Sequence, residues 1–169
     1  MYNIFNMIIV KKSGYLKYKN LKFPCALGKA GIKKKKKEGD NITPKGIFRL
    51  IEVYYRSDRI KNIKTSLKKN KIKKNMGWCD DPKSKSYNKL IKIPSSEKHE
   101  RLYRNDHLYD IVIPLSYNMN PTIKNKGSAI FLHLAKKKYT PTKGCVGLSK
   151  VHLLKILEII KPNTKVKLI

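Results

Sequence analysis

Arginine is scarce in this chain, with five residues against 35 lysines inside a formal net charge of +29. Guanidinium groups read bases and phosphates bidentately, so the shortage argues against a nucleic-acid reader, although a pI near 10.1 would suit one. Lysines are scattered along nearly the whole sequence, and we read them as solvated surface that secondarily attracts anionic polymers. Cysteine is also rare. Cys25, Cys79 and Cys145 are odd in number and far apart, which argues against a disulfide framework, and no C-x-x-C pair suggests zinc. Long apolar runs are missing: nothing approaches the ~18–20 residues of a membrane span. The first ten residues lack a basic stretch, are interrupted by Asn3 and Asn6, and lead to no small-residue cleavage site. They do not read as a signal peptide, so the expectation is a cytoplasmic protein unless export follows another route, in which case it would lie in the periplasm or cell envelope.

What is present fits one globular domain over 1–169, with 40% apolar and 30% charged residues. Short, closely spaced strand-like segments at 4–10, 15–18 and 21–26, separated by polar turns such as Lys12-Ser13-Gly14, predict a β-rich sheet or barrel. Strand character resumes at 47–55, after a turn at Thr43-Pro-Lys-Gly46. Residues 56–107 are polar and lysine-rich, and are expected to be a loop-rich insert or lid with a short helix near 60–67. Two further strands are expected within 108–117 and 128–134. The clearest helix follows Ser149 as N-cap, with Val151, Leu154, Ile156, Leu157 and Ile160 as its apolar face. Pro162 and Asn163 end it, and 165–169 alternates as a last strand. The predicted fold is mostly β with minor α: a sandwich or barrel with one C-terminal helix.

The chemistry concentrates in 127–149. His133 ends an apolar run, and Cys145 follows a basic loop, flanked by Gly144 and Gly147. Thiolate is the nucleophile and a free thiol is mostly protonated at neutral pH, so the sulfur needs a base. A loop returning to the strand end would bring the imidazole to it. Lys143 and the dipole of the following helix are expected to favour the thiolate. Gly144 lets backbone approach a substrate carbonyl, so the amides of Gly144 and Cys145 are candidate oxyanion donors. Taken singly, an intracellular Cys is more often a small buried hydrophobe, and a lone strand-end His more often structural. It is the pair, joined by a short loop, that points to nucleophilic catalysis.

Gly127-Ser-Ala-Ile-Phe-Leu-His133 followed by Pro141-Thr-Lys-Gly-Cys145-Val resembles the YkuD-type L,D-transpeptidase catalytic domain, whose hallmark is a His and then a [Ser/Thr]-x-Gly-Cys element. Thr142, Gly144 and Cys145 match it. Glu38-Gly-Asp40, Thr43-Pro-Lys-Gly46-Ile-Phe48, Tyr55-Arg-Ser-Asp58-Arg59, Trp78-Cys-Asp80-Asp81 and Tyr109-Asp110 agree, so the likeness covers most of the chain. The resemblance implies a β-rich fold and a thioester formed by Cys145, with His133 moving the proton. The substrate it implies is a peptidoglycan tetrapeptide stem, cut after its third residue. An amine acceptor would give a cross-link, and water would give L,D-carboxypeptidation. No metal or organic cofactor is implied. Lys143 and Gly147 stand where many relatives carry His and Arg, which bears on the acceptor and local substrate contacts.

Among other residues, Trp78, Tyr87, Arg56 and Arg104 are groove candidates, an Arg meeting a stem carboxylate, with Thr142 and Lys143 beside the nucleophile. Cys79 adjoins two Asp residues, a poor setting for an anionic nucleophile, and Cys25 reads as core. The rival of another class is a basic module that binds nucleic acid or another polyanion. Nothing in the sequence indicates an oligomeric state.

Overall fold

Short apolar-rich segments joined by polar turns build the first sheet. In the computed structural model, which describes residues 6–169, Met7–Lys11 (β1), Tyr15–Tyr18 (β2) and Leu21–Pro24 (β3) form an antiparallel meander. The strand expected over 4–10 is thus observed from Met7, residues 4 and 5 lying outside the described ones. Ile8, Val10, Leu16 and Tyr18 point inward and are buried, while Lys11, Tyr15 and Lys17 face solvent. Ile32–Lys33 (β4) and Thr43–Pro44 (β5) then pair in parallel.

The single strand expected over 47–55 is two. Gly46–Arg49 (β6) belongs to the first sheet and Val53–Tyr55 (β7) to a second one, with Leu50–Glu52 crossing between them. Lys69–Lys71 (β8) pairs in parallel with β7. Met76–Cys79 (β9), Leu90–Lys92 (β10) and His99–Arg101 (β11) make a three-stranded antiparallel sheet ordered β10-β9-β11. Ile111–Pro114 (β12), Phe131–Leu134 (β13), Val146–Leu148 (β14), the helix Lys150–Ile159 (α1) and Lys165–Leu168 (β15) complete the chain. The first sheet runs β3-β2-β1-β15-β6 and the second β14-β13-β12-β7-β8.

The insert is loop-rich, as expected, but carries four short strands, β8 to β11. No helix forms at 60–67. Asn62 adopts φ +53, which interrupts a right-handed helix, and Ile60, Ile63 and Leu67 instead anchor an extended segment in the core. The two ends of the insert are clasped together. Arg56 grips Asp58 and donates from Nη1 to the Arg104 carbonyl (2.6 Å), and Arg59 pairs with Asp110 (2.9 Å).

Ser149 caps α1, its Oγ accepting from His152 N at 3.3 Å. Leu153, Ile156 and Leu157 face inward, but Val151, expected on the apolar face, is 72% exposed. It sits in the first turn, on the side of the helix turned to solvent.

Strands β12 and β13 are buried on both faces, and their two-residue period sorts side chains between two interiors. Ile111, Ile113, Leu132 and Leu134 join the first sheet and α1 in an aliphatic core. Val112 and Phe131 join Tyr54, Trp78, Leu102, Tyr109 and Cys145 in a largely aromatic one. Each fully buried aliphatic side chain contributes about 1.5–3 kcal/mol, so the first interior carries most of the stability.

Candidate active site

His133 lies on β13, two residues beyond Phe131, and so shares its face of the sheet. β14 runs parallel to β13 with Leu132 beside Val146 and His133 beside Gly147. One step back along this register, Cys145 lies beside Phe131, on the same face. Cys145, just before β14, and His133, on β13, are thus set on the same side of neighbouring segments, one pair of residues apart in register.

Backbone contacts hold the sulfur at rest. Cys145 Sγ–H donates to the Ala129 carbonyl (3.1 Å), and Sγ accepts from Phe131 N (3.4 Å). Ala129 itself has φ +51, a left-handed conformation costly for a residue with a Cβ. Asn88 secures it: its Oδ1 accepts from Ala129 N and from Trp78 Nε1, while its Nδ2 donates to the carbonyls of Tyr117 and Asn118. His133 Nδ1–H donates to the Leu134 carbonyl at 2.8 Å. A carbonyl only accepts, so the proton sits on Nδ1 and leaves Nε2 with its lone pair, the form a general base requires.

Burial dominates the electrostatics. It pushes the Cys145 thiol up to about 12; the Glu100 carboxylate adds to this, while the Phe131 amide and Lys35 oppose it. Burial also lowers His133 to about 4 despite its hydrogen bond to Leu134. The resting pair is thus thiol and neutral imidazole, not the thiolate expected from the sequence. The helix dipole does not reach the sulfur, because β14 intervenes and sets Ser149 about 13 Å from Cys145 at 3.3 Å per residue. Lys143 is exposed and offers only a screened charge.

The loop before Cys145 is built by close backbone approach. A Cβ on Gly28 would come within 2.3 Å of the Asn41 carbonyl and 2.9 Å of Gly144 Cα; Gly144 has φ +139 and abuts the Ile42 carbonyl. Thr142 Oγ1 donates to the Cys145 carbonyl (2.6 Å) and accepts from Gly144 N (3.1 Å). The Gly144 amide, expected to help hold an oxyanion, is therefore committed within the loop. Thr142 orders this turn. Gly147 is packed between Ala26 and Ala135.

The groove candidates separate. Trp78 is buried edge-on against Phe131, at 5.2 Å between ring centroids. Tyr87 is buried too, its hydroxyl donating to Glu38 (2.5 Å) and accepting from Gly127 N (2.9 Å). Both hold the insert against the site instead of lining a groove. Arg56 is also interior, stacked 3.5 Å from the Tyr103 ring. Arg104 alone of these is half-exposed near the pair, its guanidinium held by Asp106 and 5.0 Å from the Tyr109 ring.

Sequence reasoning missed three groups. Lys35, placed with the surface lysines, is buried in an ion pair with Asp40 (2.5 Å). Burial alone would raise the Asp40 carboxyl; Lys35 and the amides of Lys36, Ile42 and Lys37 hold it down at about 2. Glu100 and Tyr109 converge on the site from β11 and the approach to β12, and only the partner of a polar strand could have revealed the former. Among the described residues no three His, Cys, Asp or Glu side chains gather to hold a metal ion, and no helix is long and apolar enough to cross a membrane.

A sequence profile of YkuD, the L,D-transpeptidase catalytic domain, matches residues 6–168. No curated protein sequence matches. Among solved structures, the chain is similar to the helical cell shape determining protein Pgp2 from Campylobacter jejuni, at 15% identity and a TM-score of 0.53, over 96% of this chain and 46% of that one. L,D-transpeptidase 1 of Mycobacterium tuberculosis aligns at 10% identity and a TM-score of 0.45, over 98% of this chain and 60% of that one. An L,D-transpeptidase from Mycobacterium smegmatis aligns at 12% and 0.44, over 96% and 58%. The chain thus spans about half the length of these structures. The first likeness supports a shared fold, in keeping with the mostly β architecture and single helix described above.

Proposed function

Because this chain belongs to the YkuD L,D-transpeptidase catalytic-domain family, we propose that it is a peptidoglycan L,D-transpeptidase using Cys145 as nucleophile and His133 as proton carrier. What supports the reading is the register that sets Cys145, just before β14, on the same buried side as His133 on β13, with Nδ1 of His133 tied to backbone and the Nε2 lone pair left free of that bond.

Both groups are neutral at rest, so the thiol gives up its proton only as the new bond forms. Sγ–H exchanges the Ala129 carbonyl for Nε2 as Sγ attacks the carbonyl carbon of the third stem residue. The S–C bond forms, the amide C–N bond breaks, and Nε2 passes the proton to the departing D-residue's amine. An acceptor amine then attacks the thioester, losing a proton to Nε2, which returns it to sulfur as the S–C bond breaks. With Gly144 N committed to Thr142, the Cys145 amide is the oxyanion donor we assign. We assign Arg104, half-exposed beside Tyr109, to a stem carboxylate.

The test is incubation of wild type and Cys145→Ala with a muropeptide tetrapeptide, with and without an amine acceptor. Cross-linked product from wild type and a loss of about 10⁴-fold or more in the variant are expected. Tripeptide alone would make the enzyme a carboxypeptidase. Full turnover by Cys145→Ala, or salt-sensitive polyanion binding as the sole activity, would overturn the reading. Mass spectrometry after treatment with a carbapenem should place the adduct on Cys145.

A further inference from the structure

Glu100 is an anomaly. A chain with few acids sets a carboxylate where its charge opposes the anion its own nucleophile must approach. Around it are Asp80, Arg104, Lys143, Tyr109 and Cys145. Its hydrogen-bond partner is Tyr109, whose hydroxyl donates to Glu100 Oε2. The Tyr109 ring is buried and meets two rings of β13 edge-on: His133 at 5.4 Å and 73°, and Phe131 at 5.8 Å and 80°. His133 has its one polar tie, among the described residues, at Nδ1, to the carbonyl of the very next residue. A single hydrogen bond tethers an imidazole without defining its tilt; a fixed neighbouring ring does.

We propose that Glu100 is a positioning residue: it anchors the Tyr109 hydroxyl, and the anchored ring holds the His133 imidazole at the tilt from which Nε2 faces Cys145. The proposal rests on the catalytic pair assigned above. A carboxylate suits this role better than an amide because a charge-assisted hydrogen bond is shorter and stronger. That benefit offsets its unfavourable effect on the neighbouring thiol. It also gives the insert a part in the chemistry, because Glu100 is carried by β11, the edge of the three-stranded sheet that covers this face.

The experiment compares Glu100→Ala, Glu100→Gln, Tyr109→Phe and the double variant Glu100→Ala/Tyr109→Phe. One measurement is kcat and KM on tetrapeptide. The other is the solvent exchange of the His133 Nδ1–H resonance by NMR, assigned through its loss in His133→Gln. Glu100→Ala and Tyr109→Phe should each lower kcat by about 10–10²-fold with KM little changed, and the double variant should fall no further. Both should speed Nδ1–H exchange. Glu100→Gln still offers an oxygen to the Tyr109 hydroxyl and should retain most of both properties. Wild-type kcat and exchange in Glu100→Ala would overturn the proposal. So would Glu100→Gln as damaged as Glu100→Ala with a raised KM, since the carboxylate would then meet substrate. If Glu100→Ala fails to fold, Tyr109→Phe, which keeps the ring, decides by the same readouts. If wild type does not process tetrapeptide, the functional reading fails, and the exchange measurement still decides the positioning.

Discussion

Leu132 and His133 are neighbours in sequence and belong to different worlds. Leu132 enters the aliphatic interior shared by two sheets and the helix, where its surroundings are apolar and regular. His133 enters the other interior, where aromatic rings, Glu100, a buried thiol and strained backbone at Ala129 meet. The difference teaches a division of labour within one strand: the first face supplies stability, and the second uses it to hold polar and strained groups in place. Truncating neighbours should therefore have opposite signatures. Leu132→Ala should cost about 2–5 kcal/mol in chemical denaturation while leaving kcat per folded molecule near wild type. His133→Gln should lower turnover by about 10³-fold or more with only a small change in denaturation midpoint. Equal damage to both properties in either variant would erase the distinction.

Acid sharpens the same contrast. The folded imidazole titrates at about 4 and an unfolded one near 6.5. Between these values the unfolded chain binds a proton that the folded chain refuses, so this contribution is fully present above pH 6.5 and is lost as pH falls toward 4. The loss amounts to about 3 kcal/mol at one pKa unit per 1.36 kcal/mol. It should show as a steeper fall in stability over that window for wild type than for His133→Gln, measured by denaturant titration at successive pH. On the alkaline side both interiors carry a thiol raised to about 12 by burial, Cys25 in the first and Cys145 in the second. Stability from each is lost as pH rises above 9, so alkali does not discriminate between the faces.

The division also explains what could be read from sequence. β2 and β15 alternate cleanly, β1 is a short apolar run, and Ser149 announces α1, because local pattern and tertiary placement agree there. Lys69–Lys71 and His99–Arg101 are strands of three residues with no apolar alternation, formed because a neighbouring strand offers a ladder. Ile60, Ile63 and Leu67 carry a helix-like spacing but are separate anchors of an extended segment. Cys145 and His133, the pair we assign, stand out in the sequence through their glycine-flanked loop and the family likeness. Their protonation state does not, because burial is a property of the assembled insert. Glu100 was hidden for the same reason: its partner Tyr109 is brought to it only when β9 and β11 pair over the site.

The smallest effect expected is at Lys143, and it tests whether charge outside the site matters as charge inside does. Two lysines approach Cys145 from opposite settings. Lys35 is 2% exposed in its side chain and locked to Asp40, so its field acts through protein. Lys143 is exposed and makes no ion pair among the described residues, so water and salt screen it. Replacing Lys143 by Met should change KM for an anionic stem peptide by about twofold or less, with kcat unchanged, and the difference should vanish as ionic strength rises to about 0.5 M. A large, salt-insensitive loss of kcat would instead mean that Lys143 touches the reacting groups, and that the boundary between the buried site and its basic surroundings lies further out than His133 and Arg104 place it.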